Sequence, residues 1–269
     1  MKKILETLLK DEQIKDIAEN FSRRKEFLIY GLSGVQKVAV VAAAYKKNPR
    51  PTIIFFDERE KISDWKNNLS EFLPNVEVVE LPEVDLFPIR AEISGLERFA
   101  KRLEIFSRLA QGENFIVLSS ATSAVKKDFS AENFSDAKIS LKVGQNFSQE
   151  NLISRLINFG YERTDDVDGF GKFSVRGGIV DIFPINFSKP YRLEFFDDVI
   201  DSIRILNPEN LRSEKNILSA DILPIKFDGE KNFVPFMTVA KSPAIIFDEP
   251  NRIKEKINSL TKENPALKK

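Results

Sequence analysis

The sequence predicts an α/β protein in two parts: a parallel sheet covered by helices, and an α+β module rich in antiparallel strands. Three observations carry this. Short apolar runs alternate with helical patterns from residue 27 to 119, which is βαβ logic. After residue 137 the pattern changes to short alternating strands separated by Gly and Asp. Near the end a second apolar run, PAIIF, leads into another helical pattern, as if the chain returned to the first sheet. The expected organisation is residues 1–124, 125–206 and a return segment 207–269.

Taken in order, MKKILETLLKDEQIKDIAEN places Ile4, Leu5, Leu8, Ile14 and Ile17 at helical spacing and reads as one amphipathic helix. FLIY then predicts a strand before helix VQKVAVVAAAYKK, and TIIFF a strand before helix EREKISDWKNNLSEFL. VEVVEL predicts a third strand. The irregular crossover LPEVDLFPIRAEI follows, then helix GLERFAKRLEIFSRLA, whose start is marked by the capping-box spacing of Ser94 and Glu97. FIVLSS predicts the next strand, and KKDFSAENFSDA reads as a linker. In the second part, helix SQENLISRLINFG precedes YERT, GKFSVRGG, IVDIFP, PYRLEFF and VIDSIRIL, a meander of strands. A polar stretch from Asn207 leads to strand ILPIKF.

Composition removes much chemistry. The 269 residues are 42% hydrophobic and 30% charged, an ordinary globular balance. No cysteine and no histidine are present, which excludes disulfides, thiol nucleophiles, the Ser-His-Asp triad and the commonest zinc ligands. No cofactor or metal is expected. The clusters Asp165, Asp166, Asp168 and Asp197, Asp198, Asp201 sit in turn-like TDDVDGFG and FFDDVID, where aspartate bonds neighbouring backbone amides. The 41 basic and 41 acidic side chains balance, which argues against a dominant DNA-binding surface. With no apolar run of about 18 residues, the reading is a cytoplasmic protein without a membrane partner.

YGLSGVQKVAV has the outline of a phosphate-binding loop. Gly31 and Lys37 fit G-x-x-x-x-G-K-[ST], and Gly34 adds a tight turn. The second motif glycine falls on Gln36, whose side chain fills space a phosphate needs. The hydroxyl position falls on Val38, which cannot ligate magnesium. The expectation is a degenerate loop without ATP hydrolysis, while a helix N-terminus retains some attraction for anions.

The long segment GYERTDDVDGFGKFSVRGGIVDIFPINFSKPYRLEFFDDVIDSIRILNPENLRS, with YGLSGVQK, LPEVDLFP, IVLSSATSAV and FDEP around it, resembles the bacterial transcription-repair coupling factor family (Mfd) and, more distantly, UvrB. The resemblance implies an N-terminal UvrB-like region: a degenerate helicase-like domain carrying a second domain that recruits the excision-repair protein UvrA. The ATP-dependent translocase motor and the RNA-polymerase-binding domain of that family lie further along its polypeptide. The resemblance therefore makes this chain a non-catalytic fragment, linked to RNA polymerase and DNA only through those other domains. UvrB-like proteins insert a DNA-clamping hairpin where only ten residues separate Phe87 from Arg98 here, and UvrB keeps a working phosphate loop. Both departures favour the coupling factor over a nucleotide-regulated or DNA-contacting UvrB-like module. On this reading Asp248 and Glu249 of FDEP are turn and helix-start residues.

Strand alternation puts Phe173 and Val175 opposite Ser174 and Arg176, Val180 and Ile182 opposite Asp181 and Phe183, and Tyr191, Leu193 and Phe195 opposite Arg192 and Glu194. Arginines beside an exposed aromatic have the composition of a protein-binding hot spot. The alternative pairs Arg192 with Glu194, leaves Arg176 on a turn and closes a small core with Phe183. By the resemblance, Arg163, Arg176, Phe183 and Arg192 align with positions that contact UvrA. Ser174 stands where UvrB-like sequences carry another arginine.

Overall fold

The structure, a computed structural model, describes residues 2–22, 26–83, 93–125, 127–129, 138–225 and 233–263. Most of the expected crossover LPEVDLFPIRAEI, most of the linker and the side chains of Ser94 and Glu97 lie outside the described residues. The chain divides into two compact units. The first comprises Met1–Glu83, Arg108–Asp128 and Val234–Lys269; the second comprises Val84–Ser107 and Phe129–Phe233. The second unit thus extends past the expected boundary at 206, because two further strands belong to it.

In chain order come α1 (Lys2–Leu8), α2 (Glu12–Ser22), α3 (Val35–Lys47), β1 (Thr52–Phe56), α4 (Glu60–Phe72) and β2 (Val78–Glu80). Next are α5 (Ile93–Gln111), β3 (Ile116–Ser120), α6 (Ala121–Val125) and β4 (Lys127–Phe129). The middle of the chain supplies β5 (Ile139–Lys142), α7 (Gln149–Asn158), β6 (Glu162–Arg163), β7 (Lys172–Arg176), β8 (Ile179–Phe183) and β9 (Tyr191–Phe196). It continues with β10 (Val199–Leu206), β11 (Ser213–Ile217) and β12 (Ser219–Ile222), and the last described elements are β13 (Phe233–Pro235), β14 (Ala244–Phe247) and α8 (Pro250–Glu263).

The first unit holds a parallel sheet in the order β14-β1-β3-β2. β1 and β3 are buried at every position, which is why TIIFF and IVLSS read as unbroken apolar or small runs. The return segment does add a strand: Thr52 to Phe55 of β1 stand opposite Ala244 to Phe247 of β14. Val38, Ile54, Phe56, Trp65 and Leu69 form its core, with Trp65 edge-on to Phe56 at 5.3 Å.

Three expectations are corrected here. The single N-terminal helix is two, because the Asp11 side chain accepts hydrogen bonds from the N–H groups of Gln13 and Ile14 and starts α2 afresh. FLIY forms no strand; it takes no place in the sheet order, and Phe27, Leu28, Ile29 and Tyr30 are exposed. The linker-like stretch contains β4, which pairs with β13.

The second unit is built on a six-stranded sheet in the order β11-β10-β9-β8-β7-β6. β7 to β10 form the antiparallel meander expected from YERT to VIDSIRIL, β11 adds an antiparallel strand at its edge, and β6, expected to belong to the meander, instead runs parallel to β7. β5 and β12 pair separately. β11 was hidden in the sequence because SEKNI is almost wholly exposed and shows no apolar alternation. Phe173, Val180, Ile182, Tyr191 and Leu193 face the core with Leu152 and Leu156 of α7, as alternation requires. Buried Tyr161 donates its hydroxyl hydrogen to the Leu223 carbonyl at 2.8 Å and accepts from the Ile185 N–H at 3.3 Å. Burial raises its pKa and keeps the phenol protonated.

Phe183 is not an exposed aromatic. It is 7% accessible, and the Phe170 ring lies against it at 4.6 Å, covering the end of β8. Phe183→Ala should therefore lower unfolding stability by about 3–5 kcal/mol, the cost of a large-to-small change in a core; an unchanged urea midpoint would contradict this packing. Tyr161→Phe removes one donor and one acceptor, and we expect a loss of about 1–2 kcal/mol in the same measurement.

Candidate functional site

At the β6 edge of the second unit, Arg163, Thr164, Asp165, Val175 and Arg176 line an open concavity of about 450 Å³. The parallel pairing of β6 with β7 puts Arg163 opposite Phe173, and the Thr164 N–H extends the ladder to the Phe173 carbonyl at 2.9 Å. The Thr164 hydroxyl donates to the Asp166 carbonyl at 2.8 Å and tightens the following turn. Arg176 ends β7, just before Gly177, whose φ of 60° suits the left-handed turn into β8. The Arg176 guanidinium donates to the Asp165 carbonyl at 2.6 Å and pairs with the Asp166 carboxylate. Gln149 of α7 donates to the Gly177 carbonyl at 2.7 Å and holds the hairpin tip. Arg163 is exposed, with no ion pair or hydrogen bond from its side chain among the described residues.

Arg192 and Phe183 do not join this edge. Arg192 of β9 stands opposite Asp181 of β8 and donates from Nε and Nη2 to both carboxylate oxygens at 2.7 Å. Asp181 is 3% accessible, so its charge requires that partner. The hydrogen bond to Asp181 holds the Arg192 pKa above its ordinary value against the opposing effect of burial. The expected alternative partner, Glu194, is taken by Arg204 at 2.6 Å. The structure thus brings Arg163 and Arg176 together and commits Arg192 and Phe183 to the fold. Thr164, Asp165 and Val175 were not among the residues expected to contact a partner. The Asp181 to Arg192 pair was readable, since both lie on the outward parity of successive strands.

In the first unit the polar side chains of the phosphate-like loop bond within the same unit. Gly31 and Gly34 adopt φ of 79° and 47°, a backbone that permits the turn into α3. The Gln36 side-chain oxygen accepts from the Ser33 N–H at 3.1 Å, one of the loop amides that would otherwise be open to an anion. Lys37 donates to Asp248 at 2.8 Å and Glu249 at 2.5 Å. Partial burial alone would lower the Lys37 pKa, but these two carboxylates outweigh it and raise it. The same hydrogen bond lowers the pKa of Glu249. Val38 is 2% accessible and points into the core. Among the described residues no three acidic side chains converge as a metal site, and no helix is long and apolar enough to cross a membrane.

Comparison with known proteins agrees with this architecture. Residues 139–227, within the second unit, match the family described as the UvrB interaction domain. The chain is 31% identical over 202 residues to a transcription-repair-coupling factor of Bacillus subtilis, covering 75% of this chain and 17% of that protein. It is 30% identical over 220 residues to a transcription-repair-coupling factor of Staphylococcus aureus, covering 81% of this chain and 19% of the relative. The chain therefore spans less than a fifth of the length of these relatives. Residues 139–227 match the UvrB interaction domain family, in a chain similar over most of its length to a part of the bacterial transcription-repair-coupling factors.

Proposed function

We propose that this chain is a non-catalytic adaptor whose second unit recruits UvrA in transcription-coupled nucleotide excision repair. The observation that carries the proposal is the pairing of Arg163 and Arg176 on one concave edge of a UvrB interaction domain. Arg163 offers an uncommitted guanidinium. Arg176 is held at the rim by Asp165 and Asp166 and can exchange those exposed acceptors for a partner's. Arginine suits this role because its planar fork binds carboxylates and carbonyls with directional hydrogen bonds. Arg192 acts on the surface indirectly, by fixing the register of β8 and β9. By resemblance, RNA polymerase and DNA are engaged by other parts of the longer family polypeptides.

The first unit serves on this reading as a scaffold without nucleotide turnover. Support comes from Gln36, which occupies a loop amide, from Lys37, which is neutralised by two carboxylates, and from Val38, which is buried. Magnesium-ATP titration by calorimetry should give no saturable isotherm. A micromolar isotherm abolished by Lys37→Ala would replace the adaptor reading with a nucleotide-regulated one.

For the partner, titration of wild-type chain with UvrA should give saturable binding. Arg163→Ala and Arg176→Ala should each weaken it by about 1–2 kcal/mol. Their folding should change by no more than about 0.5 kcal/mol, as for other exposed side chains. Wild-type affinity in both folded variants would remove this edge as the contact.

A further inference from the structure

The charged cluster beside the phosphate-like loop has more order than a decayed site requires. Lys37 lies at the start of α3, whereas Asp248 and Glu249 lie between β14 and α8, more than two hundred positions later. The second unit occupies the sequence between them. Lys61 of α4 joins from the other side, 2.6 Å from Asp57 and 3.9 Å from Asp248, and Arg252 of α8 approaches Asp57 at 4.0 Å. Asp57 and Asp248 are each 7% accessible and follow the C-terminal ends of the adjacent strands β1 and β14. Asp57, Asp248 and Glu249 are therefore linked pairwise through Lys37, Lys61 and Arg252 at the end of a parallel sheet where α/β folds commonly bind ligands.

One member is held in an unfavourable backbone state. Glu249 has φ of 57°, a left-handed conformation that a residue with a Cβ adopts at a cost. Its carboxylate reaches Lys37 from that position, and the Gln36 side chain caps the loop on the same turn of chain.

We infer that Lys37, Asp248 and Glu249 form an intramolecular ion lock that stands in for the phosphates of a nucleotide and pins the return segment to the first unit. The lock joins the parts of the first unit that precede and follow the second unit in sequence. Closure of the discontinuous first unit is thereby independent of nucleotide. This inference rests on the reading that the loop holds no nucleotide, and the test below separates the two.

Trp65 is the only tryptophan and lies in the first unit's core, so its fluorescence reports that unit selectively. Melting followed by Trp65 should fall by about 2–5 °C in Lys37→Met and in Glu249→Gln, the range for a loss near 1 kcal/mol in a domain of this size. Asp248 keeps a second cation in Lys61, so Glu249 is the partner whose loss isolates the lock. The double variant should melt no lower than Lys37→Met, because that change already removes the interaction Glu249→Gln would break. Additive shifts, or no shift in Lys37→Met, would overturn the lock. Millimolar magnesium-ATP should leave the wild-type transition unmoved. A rise in melting temperature with ATP would overturn the nucleotide-free reading, and the inference resting on it, while the double-variant comparison separately reports whether the ions are coupled.

Discussion

The second unit depends on a buried carboxylate. Asp181 sits at 3% accessibility in a sheet whose other face is apolar, and a charge so placed is tolerated only with a close, geometrically matched counter-charge. Arg192 supplies it through two parallel hydrogen bonds across adjacent strands. A slip of one residue would turn both side chains to the wrong face, so the pair holds β8 and β9 in the register that also buries Val180, Ile182, Tyr191 and Leu193. β7 is aligned against β8 in turn, with Ser174 opposite Asp181. That alignment places Arg176 at the hairpin tip and allows β6 to add Arg163 at the edge.

The same constraint sorts the arginines. An arginine that must satisfy a buried aspartate cannot be offered to a partner without leaving that aspartate alone, so Arg192 belongs to the scaffold. Arg163 has no such obligation, and Arg176 is held only by exposed acceptors. The difference is one of desolvation, since exposed pairs are easily exchanged and buried ones are not. In the first unit the comparable commitment is that of Lys37, which pairs with two carboxylates.

Much of this was legible in the sequence. Unbroken apolar runs marked β1 and β3, alternation marked the faces of β7 to β9, and the run AIIF before a helix marked the return to the first sheet. Gln36 and Val38 stood out as misfits in the phosphate-like loop. What escaped depended on tertiary partners. FLIY is apolar enough for a strand, yet a strand exists only where a neighbour accepts its hydrogen bonds. Asp11 divides a continuous helical periodicity through a cap that periodicity cannot register. β11 carries no apolar signal, and the parallel pairing of β6 depends on the path from residue 164 to 171. Phe183 shares parity with the exposed residues but is covered by Phe170, and Asp248 and Glu249, which look like turn residues, are partners of a lysine far away in sequence.

The central claim is that the edge built from β6 and the β7 to β8 turn meets UvrA. Amide hydrogen exchange of the chain, free and with saturating UvrA, measures this most directly. The account predicts new protection at Arg163 to Asp166 and at Val175 to Gly178, with the loop from Gly31 to Lys37 unchanged. Protection confined to that loop, or no change along the β6 edge while UvrA is bound, would contradict it.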